Sequence, residues 1–328
     1  MKTAFVTGGT GFLGYNLIDE LLSDGVEVTA LHRKSSDVSR LQRSGVKLAV
    51  GTITDKAEVL AAMPKDLDAV FHVAGNTSWW SGGNDAQTRD NVDGTRNMVE
   101  AAKERGAKCF IQTSSISAYS AQPPPTWDET ARSTALESKV NYERTKFLGE
   151  EEVKKAAKEG LRAVIMNPGN IVGRYDTANW SRMILMIHKG TLPGVPPGKG
   201  SFCDATQVAR AHIAAVTKGK TGENYILAGT DASMVEFVRI IGARLGRKVP
   251  DKAAPVAVLA AIAWAKQLAS TFTKREPDIT PELVSLFARP PSFPSSKKAE
   301  EELGYKCLPL ETMVDTACAW LEKEGLLS

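Results

Sequence analysis

The chain lacks the cysteine spacing of a disulfide framework or a zinc site: Cys109, Cys203, Cys307 and Cys318 stand far apart, with no CxxC pair. Its four histidines are equally scattered, so no ligand set for metal catalysis is visible. Excess charge is also missing. Lys and Arg number 41 against 38 Asp and Glu, and the net +3 is too near balance to mark nucleic acid or an anionic membrane as the main partner. There is no repeat or low-complexity tract. Met1 leads directly into the strand-like Lys2 to Thr7 rather than into the charged and apolar regions of a signal peptide, which predicts a cytoplasmic protein. Val256 to Ala265 is an almost wholly apolar run that ends at Lys266, about half the length needed to cross a bilayer, and no membrane span is expected. It reads as a helix packed over a substrate pocket, with a helix lying in a membrane interface as the alternative. A small-molecule ligand fits these absences.

What is present is ordinary globular composition, 42% hydrophobic and 24% charged over 328 residues, enough for one large core and a smaller one. The first half alternates short apolar runs with segments of helical period, the pattern of βαβ units building a parallel sheet. Strands are expected at Thr3 to Thr7, Val26 to Leu31, Lys47 to Val50, Ala69 to Val73, Lys108 to Thr113 and Ala163 to Asn167, and helices at Gly11 to Ser23, Asn91 to Arg105 and Lys139 to Lys158. Beyond Pro168 prolines break the rhythm, and a late strand, Asn224 to Leu227, rejoins the main sheet. The expected division is a dinucleotide-binding part, 1–170 with 205–229 returning to it, and a substrate-binding part, 171–204 and 230–328.

The first strand runs into Thr7-Gly8-Gly9-Thr10-Gly11-Phe12-Leu13-Gly14, a GxxGxxG turn that opens a helix. Glycines there allow a tight turn and close approach of backbone to a pyrophosphate, while the helix N-terminus offers free N–H groups to the anion. This predicts an α/β fold of Rossmann type, a doubly wound parallel sheet with a smaller C-terminal substrate domain. An NAD site commonly ends the second strand with a carboxylate for the ribose hydroxyls. Here it ends Leu31-His32-Arg33-Lys34-Ser35-Ser36. A carboxylate would repel a 2′-phosphate, whereas Arg33 can grip one and Ser36 or Arg40 can add donors, which favours NADP(H). The bland reading of Arg33 and Lys34 is a solvated basic loop.

The glycine turn, Asn91-Val92-Asp93-Gly94-Thr95, Thr113-Ser114-Ser115, Tyr142 with Lys146, Pro168-Gly169 and the tail from Ser296 to Tyr305 together resemble the extended short-chain dehydrogenases. The resemblance spans nearly the whole chain and looks greatest to the dihydroflavonol reductase and 3β-hydroxysteroid dehydrogenase branches. It implies a Ser-Tyr-Lys site for interconverting a carbonyl and an alcohol. Tyr142 and Lys146 stand at i and i+4, on one face of a helix. A nearby ammonium and an oxidised nicotinamide would favour phenolate, and a fall of about three pK steps from ~10 corresponds to ~4 kcal/mol. The resemblance assigns Ser115 to orient the substrate oxygen, with Ser114 as the alternative in an ambiguous register. Asn91 matches the family's asparagine that holds the active-site helix and a relay water, and it equally suits a helix N-cap. Pro168, Asn170 and Ile171 are placed near the nicotinamide, Ala74 and Gly75 beside a ribose, and Thr113 among the cofactor-binding residues. Thr52 and Ile53 stand where the family often has an acidic residue near adenine, so that contact is weaker or made by backbone.

Trp79, Trp80, Trp180, Met183 and Met186 suggest a fairly hydrophobic substrate, although ordinary core packing would look the same. A homodimer is typical of the proteins this chain resembles. Two other functions compete. A nucleotide-sugar epimerase or dehydratase would retain NAD, but the chain has Ile116-Ser117 where dehydratases carry Asp-Glu, and Gly200-Ser201-Phe202 where sugar-nucleotide enzymes often place an Arg-Asp pair. A non-catalytic dinucleotide sensor shares the fold, yet commonly loses the Tyr/Lys pair kept here.

Overall fold

The structure, a computed structural model, describes residues 1–122 and 125–328. Seven strands form one parallel sheet: β1 (Thr3–Thr7), β2 (Glu27–His32), β3 (Lys47–Val50), β4 (Ala69–His72), β5 (Phe110–Thr113), β6 (Ala163–Pro168) and β7 (Asn224–Leu227). Their spatial order is β7-β6-β5-β4-β1-β2-β3. Strands β4, β5, β6 and β7 are buried along their whole length, which is why they read as continuous apolar runs rather than alternating ones. One face of the sheet is covered by Leu17, Ile18 and Leu21 of the helix Phe12–Ser23 and by Val208 and Ala211 of Ala205–Lys218. The other is covered by Met98 and Val99 of Gly94–Glu104 and by Val153 and Ala156 of Asn141–Lys158. Between β1 and β4 the strand order reverses, and the crevice beyond their carboxyl ends is where this architecture binds ligands.

The predicted strands are all present, displaced by two residues at most. The helix expected from Asn91 differs more. It begins at Asn84–Thr88, passes through one wide π-type turn at Arg89–Asp93 and continues as Gly94–Glu104, so Asn91 lies inside helical structure and is not an N-cap.

Past β6 the chain builds a three-stranded sheet from Asn170–Val172, Lys199–Asp204 and Thr230–Ser233, with its own core. Phe202 and Phe237 stack at 4.7 Å, and Trp180 meets Phe202 edge-on at 5.5 Å. The run at Val256 corrects its sequence reading. It forms an 18-residue helix, Val256–Thr273, long and apolar enough to cross a bilayer, and only Ala263 and Ser270 on it are buried. The helix runs on past Lys266, a residue type that suits a helix interior, and its ammonium pairs with Asp278 at 2.6 Å. The helix is largely exposed and packs through a narrow stripe on Pro281–Phe287.

Candidate active site

At the carboxyl ends of β1 and β4 lies a cleft of about 650 Å³. The glycine turn forms its floor. Gly8 has φ +71°, and a Cβ there would lie 2.6 Å from the Ala74 nitrogen; a Cβ on Gly14 would lie 2.0 Å from the Gly8 carbonyl oxygen. Neither position can hold a side chain without separating the helix from the strands. Gly11 precedes the first helical turn, where no side chain caps the helix and no acidic residue stands. The open N–H groups and dipole of that end suit a pyrophosphate, so the residues present fit a dinucleotide.

Thr10, Phe12 and Leu13 join the glycines along this wall. At the end of β2, Arg33 and Ser36 line the cleft and are joined by a turn in which the Ser36 N–H donates to the Arg33 carbonyl at 2.9 Å. Arg33 is exposed and makes no ion pair among the described residues. Thr52 and Ile53 line the adenine-side edge, but the Thr52 N–H is committed to Glu58 at 2.9 Å. Ala74 and Gly75 follow β4, the Ala74 N–H held by the Thr7 hydroxyl at 3.2 Å. Pro168, Asn170 and Ile171 close the far side.

Tyr142, Lys146 and Ser115 all line the same cleft. The Lys146 Nζ lies 5.9 Å from the centre of the Tyr142 ring and donates to the Thr113 carbonyl at 3.1 Å. The Thr113 hydroxyl itself is turned away, onto His212 at 2.9 Å. The Ser117 N–H donates to the Ser115 hydroxyl at 3.1 Å. The Ser114 hydroxyl instead donates to Glu150 at 2.5 Å, which separates the two serines that the sequence left ambiguous.

The electrostatics of the protein alone favour the neutral phenol. Burial pushes Tyr142 up to about 12, with Ser115 only partly opposing it. The cation is perturbed in turn: burial brings Lys146 down to about 8, although the Glu150 carboxylate one turn onward raises it. The phenol therefore keeps its proton at neutral pH, the form of an acid ready to donate.

Five predicted residues lie outside the cleft, Trp80 and Met186 among them. Arg40 sits among the rings of Tyr15, Tyr175 and Trp320, 5.0 to 5.7 Å from their centres, and pairs with Glu324 at 2.8 Å. Met183 packs into the core of the smaller sheet. The Asn91 side chain is buried, accepting the Asn76 N–H at 2.7 Å and donating to Thr145 at 3.1 Å, so it ties the loop after β4 to the helix of Tyr142. Trp79 and Trp180 do line the cleft, and Trp79 packs on Tyr142 at 5.1 Å.

Sequence reasoning missed a polar cluster beneath the site. Glu150 receives hydrogen bonds from Ser114, Asn167 at 2.6 Å and Asn224 at 2.9 Å, and burial raises its carboxyl. Its spacing, i+4 from Lys146, was the available signal. Leu283 and Leu286, which also line the cleft, come from 140 residues downstream and carried none.

A model of the NAD dependent epimerase/dehydratase family matches residues 4–228. The chain is 29% identical to a putative dihydroflavonol 4-reductase of Synechocystis, covering 98% of this chain and 95% of that one. It is also 29% identical to sterol demethylase protein B of Methylococcus capsulatus, covering 99% and 100%. Among solved structures, that of gox2253 superposes with a TM-score of 0.85 at 29% identity over the full length of both chains.

Proposed function

The chain belongs to the NAD-dependent epimerase/dehydratase family, and from that premise we propose that it is an NADPH-dependent reductase of a hydrophobic aldehyde or ketone. The observation that carries the reading is a buried Tyr142, its phenol pushed up by burial, sharing with Ser115 and Lys146 a cleft that opens on an uncapped helix N-terminus. Residues 1–170 and 205–229 hold the dinucleotide, and the remainder shapes the substrate pocket. Arg33 and Ser36, on a strand end without a carboxylate, support a 2′-phosphate as ligand. Trp79, Trp180, Leu283 and Leu286 give the opposite end an apolar lining, and the names of the two relatives, a dihydroflavonol reductase and a sterol demethylase protein, also point to multi-ring compounds as substrates.

When bound, NADPH supplies a hydride to the carbonyl carbon. Tyr142 donates its phenolic proton to the substrate oxygen as negative charge develops there. Ser115, with one lone pair taken by the Ser117 N–H, directs its own proton to the same oxygen and orients it. Lys146 holds the ribose hydroxyls and gives the spent phenolate a neighbouring cation. Asn91 is a positioning residue, keeping the helix of Tyr142 against the loop after β4.

The test is a fluorescence titration with NADPH and NADH, followed by a panel of carbonyl compounds with the preferred donor. Tighter NADPH binding with turnover of apolar ketones or aldehydes is expected. Conversion of UDP-sugars without added cofactor, with NAD co-purifying, would replace this reading by that of an epimerase.

A further inference from the structure

The helix Val256–Thr273 turns the wrong side to solvent. An ordinary surface helix buries its apolar stripe and exposes its polar one. Here Ala263 and Ser270 are buried, the Gln267 amide donates to Ser81 at 3.3 Å and Lys266 pairs with Asp278, so the polar side chains lie on or beside the protein-facing stripe. At 3.6 residues per turn, Val258, Leu268 and Phe272 project on the opposite side with Ile262 and Trp264 flanking them. They are exposed: 65% for Trp264 and Leu268, and 83% for Phe272. So continuous an apolar surface on a folded chain marks an interaction site.

The charge around it selects the partner. Residues 247–275 hold six Lys and Arg and one acidic residue, Asp251, a far stronger positive bias than that of the whole chain. Lys252 precedes the helix and Lys274 and Arg275 follow it; all three are exposed and make no ion pair among the described residues. Of the carboxylates that come next, Asp278 is paired with Lys266 and Glu276 accepts from the Ser78 hydroxyl at 2.7 Å; counting both, residues 247–278 still hold six cations against three carboxylates. A second copy of the chain fits poorly, because cations at both ends of the helix would meet cations in either orientation. The helix is also tied down along its length: the Ala254 N–H donates to the Val195 carbonyl at 2.8 Å just before it, and Lys266 and Gln267 anchor its middle. It can lie on a bilayer without inserting through it.

We propose that this face docks on an anionic membrane surface, with Trp264, Leu268 and Phe272 below the headgroups and Lys252, Lys274 and Arg275 on lipid phosphates. The helix rests on Pro281–Phe287, which supplies Leu283 and Leu286 to the cleft, and Gln267 holds Ser81, two residues from cleft-lining Trp79. Docking thus brings the apolar end of the cleft to the bilayer, where a lipid-dissolved carbonyl compound can enter. This last clause rests on the reductase reading; the docking does not.

The test is flotation of the full-length protein, without cofactor or substrate, with phosphatidylcholine vesicles that do or do not contain phosphatidylserine. Binding is expected with phosphatidylserine, weakened by salt and reduced at least about tenfold in the double variant Leu268→Glu, Phe272→Glu, whose sites touch little of the folded chain. That variant should turn over a water-soluble carbonyl as the parent does, so a failure of docking and a failure of the reductase reading are seen separately. No flotation with either vesicle would overturn the proposal. So would light scattering that shows a dimer of the parent which the double variant dissociates, since the face would then belong to a second copy.

Discussion

Replacing Lys146 by methionine is expected to stabilise the cofactor-free protein while removing its activity. Burial brings this ammonium from 10.5 to about 8, and the Glu150 carboxylate only partly offsets that loss of water. Folding thus lowers the proton affinity of Lys146, the unfolded chain binds more protons between about pH 8 and 10.5, and stability rises with pH across that window. Below the window the folded state carries the whole cost, about 3 kcal/mol. Methionine keeps the apolar stem, and the lost hydrogen bond to the Thr113 carbonyl returns about 1 kcal/mol, leaving a net gain of about 2 kcal/mol near pH 7. Urea unfolding of parent and variant at about pH 7 and about pH 10 reads both quantities, and the gap should narrow at the higher pH. A variant less stable than the parent at neutral pH, or a gap that ignores pH, would refute the assignment of a strained, buried cation.

Arg33→Ala should weaken NADPH binding by about 10- to 100-fold and leave NADH binding nearly unchanged, measured by the same fluorescence titration. Ser115→Ala should lower kcat by about 10² with little change in cofactor affinity; Ser114→Ala should act instead on stability, because its hydroxyl serves Glu150. Since burial holds the Tyr142 proton up to about 12, alcohol oxidation should climb toward alkaline pH while carbonyl reduction stays level through neutrality. A pH–rate profile in both directions checks this, and an oxidation rate that peaks below neutrality would count against it.

The parts of the site that could be read from sequence are those fixed by local geometry. The glycines of residues 8 to 14 follow β1 directly, and Tyr142 with Lys146 needs only the helical repeat to share a face. Arg33 follows from the length of β2. Long-range packing decided the rest. Arg40 is seven residues from Arg33 in the chain, yet it is claimed by Tyr175 from mid-chain and by Trp320 and Glu324 from the far end of the sequence. For Tyr142 the neighbouring cation is visible in a spacing, whereas the burial that raises its proton affinity is not. Met183 and Trp180 look alike from sequence, and both pack on the core of the smaller sheet; only the fold lets Trp180 also reach the cleft. The apolar run at Val256 was shortened at Lys266, whose partner, Asp278, lies outside the helix.

The account turns on Tyr142 as the proton donor in carbonyl reduction. The direct measurement is NADPH oxidation by Tyr142→Phe with the best carbonyl substrate of the panel, alongside NADPH titration of the same variant. A fall in turnover of about 10³ with unchanged NADPH affinity is predicted; a variant that keeps more than about a tenth of the parent's rate would contradict it.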